Sequence, residues 1–215
     1  MGRAFDWLDK KFRIKAPHKG FLRRRLPPGL SYFYCLGGAA FTSYLILFIT
    51  GLMLSLYYIP SEMEAYESVL TIQREVHLGW LIRSVHKWSA TLLIVFILCH
   101  TIRVFISRAY KSPKELNWIV GCLTLVSAFA SGFTGYLLPW DQKSYWATTV
   151  GTSMAATIPI MGRHLMYLIR GGMDVGGSTL IRFYSFHVLW LPVTMAALLW
   201  AHFHMVKRLG IKGRL

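Results

Sequence analysis

Four long apolar stretches dominate the pattern of hydrophobic and polar positions along the chain. They cover residues 32–58, 80–107, 117–138 and 179–206, and we call them spans A, B, C and D. Each has at least the roughly 20 residues that an α-helix needs to cross about 30 Å of hydrocarbon. Charged residues are concentrated between the stretches. The pattern therefore predicts an all-α integral membrane protein whose spans form a four-helix bundle.

The composition agrees with a membrane protein. The chain is 54% hydrophobic and only 15% charged, whereas soluble domains are about one quarter charged. Its three cysteines cannot build a full disulfide framework. A net charge of +15 would suit nucleic acid only on a soluble basic domain, and the pattern contains none.

The charges also predict the orientation of the spans. Residues 1–30 carry nine Lys or Arg against two acids, and the B–C loop and the C-terminus are basic too. The A–B loop is acidic instead. By the positive-inside rule, both termini and the B–C loop lie on the cytoplasmic, or n, side, next to anionic lipid, and the A–B and C–D loops lie on the opposite, p side.

The N-terminal segment 1–30 allows two interpretations. Its apolar residues could form one face of a short amphipathic helix on the n-side membrane surface, and these residues are Phe5, Trp7, Leu8, Phe12 and Ile14. It could equally be a solvated basic tail. In either case we expect residues 31–215 to form a single transmembrane domain.

Four of the eight histidines lie well inside the spans, where ionisable groups are rare and usually functional. His86 and His100 are separated by almost four helical turns on span B, and His187 and His202 by slightly more than four turns on span D. Each spacing returns to one broad helix face about 21–22 Å along the axis. His204 also lies on span D, but its offset rotates it to another face.

Spans B and D run in the same direction, so the four histidines form two pairs at two depths. His86 and His187 lie near the p side, and His100 and His202 near the n side. Two facing imidazoles in a bundle core are the usual axial ligands of an electron-transfer haem. The spacing therefore predicts two bis-histidine b haems between spans B and D.

Glycines and arginines occur at the same two depths. Gly51 and Gly135 belong with the p-side pair, and Gly37 and Gly121 with the n-side pair; a side chain there would collide with a porphyrin edge. Three arginines could pair with haem propionates, Arg83 and Arg182 near the p side and Arg103 near the n side. The alternative is that they are interfacial side chains reaching for water.

Six stretches carry a family resemblance: GWLIRSVHKWSA, LCHTIRV, KSPKELNWIVG, GFTGYLLPWDQKSYWATTVG, TLIRFYSFH and AHFHMVKRLGIKGRL. They resemble the cytochrome b6 family, the split, short form of cytochrome b in bc- and b6f-type complexes. The resemblance runs from about residue 5 to Leu215.

The resemblance implies the haem-carrying core subunit of a quinol:cytochrome c or plastocyanin oxidoreductase. Quinol is expected to be oxidised at the p side, with electrons crossing through the two b haems to an n-side quinone site and protons translocated in a Q cycle. Implied partners are subunit IV, a Rieske iron–sulfur protein and a c-type cytochrome, in a homodimeric complex. We expect a bacterial cytoplasmic membrane, with a thylakoid membrane as the alternative. The chain contains no Pro-Glu-Trp-Tyr-type quinol-site motif, so we expect no activity without subunit IV.

The stretch after span C resembles the p-side quinol pocket and Rieske docking region. Its implied members are Tyr136, Pro139, Trp140, Asp141, Tyr145, Trp146 and Ala147. A plain aromatic belt at the membrane boundary would explain the aromatic residues, but it would leave the acid at position 141 unexplained.

Cys35 lies at the n-side start of span A, in the stretch FYCLGG. No C-x-x-C-H motif is present, which excludes ordinary c-type attachment. Cytochrome b6-type proteins attach an extra haem through a single cysteine at the matching position, so the resemblance implies a covalent haem c at Cys35. The alternative is an inert small residue, which is how we interpret Cys99 and Cys122.

Two other classes of protein remain as alternatives. A dihaem cytochrome b anchor of a formate dehydrogenase or hydrogenase would also have core histidines, although the LPWDQ loop and the paired glycines argue against it. A transporter with buried histidines as proton relays would bind no haem.

Overall fold

The structure is a computed structural model that describes residues 32–210. The basic amphipathic segment predicted at residues 1–30 lies outside the described residues, as do residues 211–215. The described part is helical and contains four helices that are long and apolar enough to cross a membrane.

These four helices confirm the predicted spans to within a few residues at each end. Their bounds are Leu36–Ser55 for span A, Gly79–Ile106 for span B, Glu115–Leu137 for span C and Gly177–Leu209 for span D. A 3₁₀ turn, Tyr32–Cys35, precedes span A. Span A packs along span B, and span C packs along span D.

Three shorter helices lie between the spans, where the sequence pattern indicated only loops. Ala65–Arg74 lies between spans A and B, and Gln142–Ala156 and Gly162–Arg170 lie between spans C and D. They are too short to cross a membrane. A small apolar cluster joins the first of them to spans C and D, and its buried members are Ala65, Leu137, Val175, Leu180 and Phe183.

The main core lies at mid-bundle. Its buried members are Ala40, Tyr44, Leu93, Ile97, Ala128 and Met195. Tyr44 donates a hydrogen bond from its hydroxyl to the Pro192 carbonyl at 2.9 Å, so its polar end is satisfied inside the bundle. The outward faces of the spans are apolar and exposed instead, as expected where lipid replaces water as the solvent.

Span D contains a single π-helical turn, Phe186–Trp190, between two α-helical parts, Gly177–Ser185 and Leu191–Leu209. The turn precedes Pro192, which has no N–H to donate to the helix ladder. The Leu191 N–H donates to the Phe186 carbonyl, five residues back. A π turn therefore takes up one residue more than an α turn at this point.

Candidate haem sites and quinol pocket

The structure brings the four span histidines together as two facing pairs. The ring centroids of His86 and His187 are 6.2 Å apart, and their planes cross at 72°. Those of His100 and His202 are 6.4 Å apart, with planes at 77°. We call the first the loop-side pair, after the C–D loop, and the second the terminus-side pair.

These separations match those of two imidazoles that share one metal ion. Metal–nitrogen bonds to histidine are about 2.0 Å long, and each bonded nitrogen lies about 1.1 Å from its ring centroid, so the centroids should be about 6.2 Å apart. Ordinary core packing does not require two rings to take this spacing at both depths. The residues present therefore fit two bis-histidine haems.

The π turn explains how histidines 14 residues apart on span B and 15 residues apart on span D form two pairs with nearly the same ring separation. In a regular α-helix, 14 residues leave His86 and His100 about 40° apart around the axis, whereas 15 residues would leave His187 and His202 about 60° apart in the opposite sense. Because the π turn absorbs one residue, the longer spacing on span D acts like the shorter spacing on span B. Both histidines of span D thus face those of span B.

Each of the four predicted glycines lies against one histidine ring. A Cβ on Gly37 would lie 3.1 Å from Cε1 of His100, and a Cβ on Gly51 would lie 3.2 Å from Cε1 of His86. The other two glycines are on span C.

On span C the two glycines differ in how closely the ring approaches. A Cβ on Gly121 would be in ordinary contact with His202, at 3.6 Å, whereas a Cβ on Gly135 would overlap the ring of His187. The glycines therefore make room for the imidazoles themselves, whereas the sequence suggested that they make room for a porphyrin edge.

The loop-side pair has its outer ring nitrogens hydrogen-bonded. His187 donates from Nδ1 to the Ser131 carbonyl at 2.9 Å. The Thr50 hydroxyl donates its proton to the Ile46 carbonyl at 2.7 Å. The same oxygen lies 2.9 Å from Nδ1 of His86, and because its proton is already engaged, it accepts a hydrogen bond from Nδ1–H. With Nδ1 protonated on both rings, each neutral imidazole presents its lone pair at Nε2, as a metal ligand requires.

The terminus-side pair is held differently. Five buried side-chain polar atoms have no hydrogen-bond partner among the described residues, and four of them lie here: Nδ1 of His100, Nδ1 of His202, Nε of Arg103 and Oδ1 of Asn117. Nδ1 of His202 lies near the backbone carbonyl of Asn117, but the two groups do not form a hydrogen bond of normal geometry. Buried polar atoms are usually paired. A bound group could pair with Nε of Arg103 and Oδ1 of Asn117, whereas each Nδ1 lies on the side of its ring away from Nε2.

The residues that carry these atoms line a cavity of about 250 Å³. Both terminus-side histidines line it, as do Gly37, Gly121 and Arg103. The Arg103 guanidinium lies 4.2 Å from the centroid of the Tyr34 ring. The predicted n-side constellation is therefore assembled around one space.

The other two predicted arginines have protein partners. Arg83 donates to Oε1 of Gln73 at 2.9 Å, and Arg182 donates to the Leu168 carbonyl. Each lies on the loop side, as the sequence indicated, but each is engaged with a loop helix. A propionate would have to compete with these contacts.

The three cysteines occupy different surroundings. Cys35 is exposed and does not line the cavity, although its neighbour Tyr34 does. Cys122 lines the cavity. Cys99 is exposed, so the interpretation of this residue as a small core residue is wrong; it lies on the outward side of span B, next to the inward His100.

A second, shallower groove lies at the start of the C–D loop. It has a volume of about 250 Å³ and is lined by Trp140, Asp141, Gln142, Tyr145 and Trp146. Four of these are predicted pocket members, and Gln142 is an addition. The other predicted members, Tyr136, Pro139 and Ala147, lie beside the groove along the chain and are not among its lining residues.

The position of Asp141 at the membrane boundary has a structural explanation. Its Oδ1 accepts from the Ser144 N–H at 2.7 Å, while the Ser144 hydroxyl accepts from the Asp141 N–H at 3.0 Å. This is a capping box at the start of helix Gln142–Ala156. The acid therefore fixes the helix that carries Tyr145 and Trp146, two of the aromatic walls of the groove.

Tyr58 joins the end of span A to this region. It donates to the Leu138 carbonyl at 2.8 Å and stacks on Tyr184, with ring centroids 5.4 Å apart. Burial, and secondarily the neighbouring Tyr184, raise the pKa of Tyr58. It therefore stays protonated and keeps its role as a donor.

Sequence reasoning missed the groups that orient the ligands. Thr50 is the residue before Gly51, so a threonine next to a predicted haem glycine was a usable signal. Ser131 acts through its backbone carbonyl, which no side-chain pattern reveals. Asn117 lies four residues before Gly121, as Ser131 does before Gly135. That repetition could have pointed to both backbone carbonyls, although only the Ser131 carbonyl forms a hydrogen bond with a histidine.

Comparison with known proteins agrees with the geometry. The profile of the cytochrome b/b6/petB family matches residues 21–210. The chain is 42% identical over 215 residues to the cytochrome b6 of Synechococcus elongatus, and 41% identical to those of Gracilaria tenuistipitata var. liui and Oltmannsiellopsis viridis. Each alignment covers all of both chains.

A solved structure, described as a hyperthermophilic respiratory complex III, superposes with a TM-score of 0.87 at 31% identity. The match covers 97% of this chain and 56% of that chain, so the protein spans little more than half the length of this relative.

The fold, the paired histidines and these relatives define a multi-pass membrane protein that is the haem-carrying subunit of a quinol oxidoreductase complex of the bc or b6f type. The chain belongs to the cytochrome b/b6 family. This membership separates it from the formate dehydrogenase or hydrogenase anchor and from the transporter that the histidines alone left open.

Proposed function

We propose that the chain holds one b haem between His86 and His187 and another between His100 and His202, and that its complex oxidises quinol on the loop side and reduces quinone on the terminus side. The observation that carries this proposal is the two histidine pairs at the spacing of shared metal ligation. When bound, each haem supplies a one-electron redox centre. Quinol oxidation on one side and quinone reduction on the other, with release and uptake of their protons, then form a Q cycle.

The chain's own residues prepare both sites. Thr50 and the Ser131 carbonyl hold the loop-side rings by Nδ1, so that both Nε2 lone pairs face inward. Between the two depths lies the apolar core around Leu93 and Ile97, two residues that also line the terminus-side cavity.

The groove at the start of the C–D loop is the proposed quinol pocket. Trp140, Tyr145 and Trp146 offer aromatic faces to a flat quinol ring, and the capping box at Asp141 fixes the helix that carries Tyr145 and Trp146. Tyr136, Pro139 and Ala147 adjoin these walls and complete the pocket in our proposal. The same surface would receive the Rieske iron–sulfur protein.

The basic chain ends and B–C loop support an orientation with both termini on the n side. The C–D loop and its groove then face the p side, where quinol protons are released. We propose a bacterial cytoplasmic membrane, with the thylakoid as the alternative compartment.

We further propose that Cys35 carries a third haem as a thioether. In that reaction the thiol S–H adds across a haem vinyl group, so no external oxidant or reductant is needed. An exposed cysteine beside a residue that lines the terminus-side cavity supports this assignment. Haem staining of a denaturing gel should label the 24.6 kDa chain, and a Cys35→Ala variant should be unlabelled; an unlabelled wild-type chain would contradict the proposal.

The chain should work only within its complex. The complex III chain is matched over 56% of its length, and we propose that subunit IV supplies the counterpart of the remainder. A Rieske protein and a c-type cytochrome would complete a homodimeric complex that reduces cytochrome c or plastocyanin.

Purified complex provides the test. A dithionite-reduced spectrum should show two low-spin b haems, and quinol should reduce the acceptor with sensitivity to quinol-site inhibitors. A folded, colourless complex would overturn the haem assignment. A complex that contains both haems but does not oxidise quinol would overturn the proposed reaction.

A further inference from the structure

Arg170 is a buried cation in the C–D loop that none of the proposed roles uses. It is 5% exposed and ends helix Gly162–Arg170. It is the one charged side chain among the buried residues that the structure describes. Burying a charge is costly unless it is fully hydrogen-bonded, so its retention calls for an explanation.

The Arg170 guanidinium has partners on all three nitrogens. Nε donates to the Thr152 hydroxyl at 2.7 Å, and one Nη donates to the Met173 carbonyl at 2.7 Å. The other Nη donates to the Thr149 carbonyl and the Ser153 hydroxyl, both at 2.8 Å. None of these partners is a carboxylate, so within the described part of the chain the guanidinium is hydrogen-bonded to neutral groups only.

These partners belong to separate elements. Thr149, Thr152 and Ser153 lie on the last two turns of helix Gln142–Ala156. The Arg170 carbonyl in turn accepts from the Thr179 hydroxyl at 2.8 Å, in the first turn of span D. Arg170 therefore links the C-terminal end of the groove-bearing helix to span D.

The link connects the proposed quinol pocket to the span that carries a proposed haem ligand. The opposite end of helix Gln142–Ala156 carries Tyr145 and Trp146, two of the aromatic walls of the groove. Span D carries His187, about 12 Å along the helix axis from Thr179. The dipoles of two short helices also favour a cation at their C-terminal ends. Both the charge of Arg170 and the fork geometry of its guanidinium therefore stabilise the link.

We propose that Arg170 is a positioning residue for quinol oxidation, which holds the pocket helix in a fixed place relative to span D and its loop-side histidine. This inference rests on the proposed quinol pocket. His187 keeps its own support from Ser131, so loss of Arg170 should displace the pocket while leaving the loop-side ligands in place.

The test compares variants in the purified, haem-loaded complex. Arg170→Lys keeps the charge but cannot form the guanidinium fork, and Arg170→Gln removes the charge. Both should raise the KM for quinol about tenfold with a much smaller change in kcat, which is the pattern expected when binding of ground state and transition state is weakened equally. Haem content and the loop-side b spectrum should stay as in the wild type.

Arg163 provides the matched control. It is an exposed arginine on the same helix, and Arg163→Lys and Arg163→Gln should leave the KM unchanged. If Arg170 only stabilised the fold, its variants would lose haem and thermal stability while the surviving molecules kept the wild-type KM. That result, or a wild-type KM in fully assembled Arg170 variants, would overturn the inference.

If the Arg170 variants do not assemble, the combined variant Thr152→Val with Ser153→Ala removes two of its acceptors and keeps the cation. The KM for quinol should then rise about threefold, a smaller effect because two of four hydrogen bonds remain. An unchanged KM would overturn the inference. A wild-type complex that fails to oxidise quinol would instead overturn the proposed function itself.

Discussion

The loop-side and terminus-side histidine pairs have nearly the same ring spacing but are held by different means. On the loop side both Nδ1 atoms have partners, the Thr50 hydroxyl and the Ser131 carbonyl. On the terminus side neither Nδ1 has a partner within the described part of the chain, and the unpaired atoms of Arg103 and Asn117 share the same cavity.

The difference shows two ways of holding a pair of facing imidazoles. The loop-side rings are oriented by the protein in advance, so a bound group adds little order there. On the terminus side each Nδ1 lacks a partner among the described residues, and a group ligated through Nε2 would not reach it, so these rings are oriented less firmly in advance. We therefore expect substitutions of supporting residues to matter more at the loop side, and substitutions of the ligands to matter equally at both.

Removal of a ligand should have the largest effect. His100→Leu should abolish the terminus-side haem and leave the loop-side haem, and His86→Leu should do the reverse, because one imidazole cannot complete bis-histidine ligation. A redox titration of the reduced b-band, with one wave missing, measures this. Retention of both low-spin b signals in either variant would contradict the pairing.

The glycines should give the next largest effect. Gly135→Ala places a methyl group into the His187 ring and should remove the loop-side haem, whereas Gly121→Ala creates only an ordinary contact with His202 at 3.6 Å and should retain both. Pyridine haemochrome assay gives the haem content of each. Equal losses in the two variants would mean that porphyrin clearance, not the imidazole, sets the need for glycine.

Removal of the Thr50 hydroxyl should weaken the loop-side haem without abolishing it. Thr50→Val deletes the acceptor of His86 Nδ1–H and should reduce haem affinity about 10- to 100-fold. The substitution should also raise the midpoint potential of the loop-side haem, because the His86 imidazole becomes a poorer electron donor to ferric iron.

Thr50→Ser should restore both values, because serine keeps the hydroxyl. The matched control is Thr42→Val, which replaces an exposed threonine earlier on span A. This variant should leave the haem affinity and the midpoint potential unchanged. An effect of equal size at Thr42 would mean that the helix, and not the hydrogen bond, is responsible.

Substitution of Asn117 on the terminus side should have the smallest effect on haem affinity. Asn117→Ala removes an unpaired oxygen and should change the affinity for the terminus-side haem less than about threefold, or about 0.6 kcal/mol. Competition with a haem-scavenging apoprotein measures it. A tenfold loss would show that Asn117 becomes a partner when the group binds, and the contrast between the two pairs would then be smaller than it is in this structure.

Much of the site was predictable because it depends on position along a helix. The depth of each histidine and glycine follows from the constant rise of an α-helix, about 1.5 Å per residue, so matched spacings on spans A to D placed them in two layers. The supporting groups were not predictable in this way. The role of Asp141 depends on where a short helix begins, and that helix is stabilised by contacts with the spans rather than by its own pattern.

The sequence by itself determined the number of spans, their approximate ends and the two depths of the histidine pairs. The physical reason is that lipid offers no hydrogen bonds, so long apolar segments must form continuous helices whose geometry is known in advance. Only the tertiary structure decided which ring each glycine admits, which atoms orient the imidazoles and how the longer histidine spacing on span D matches the shorter one on span B. These features arise from packing between residues far apart in the chain and from one π turn, and neither is encoded in a local pattern.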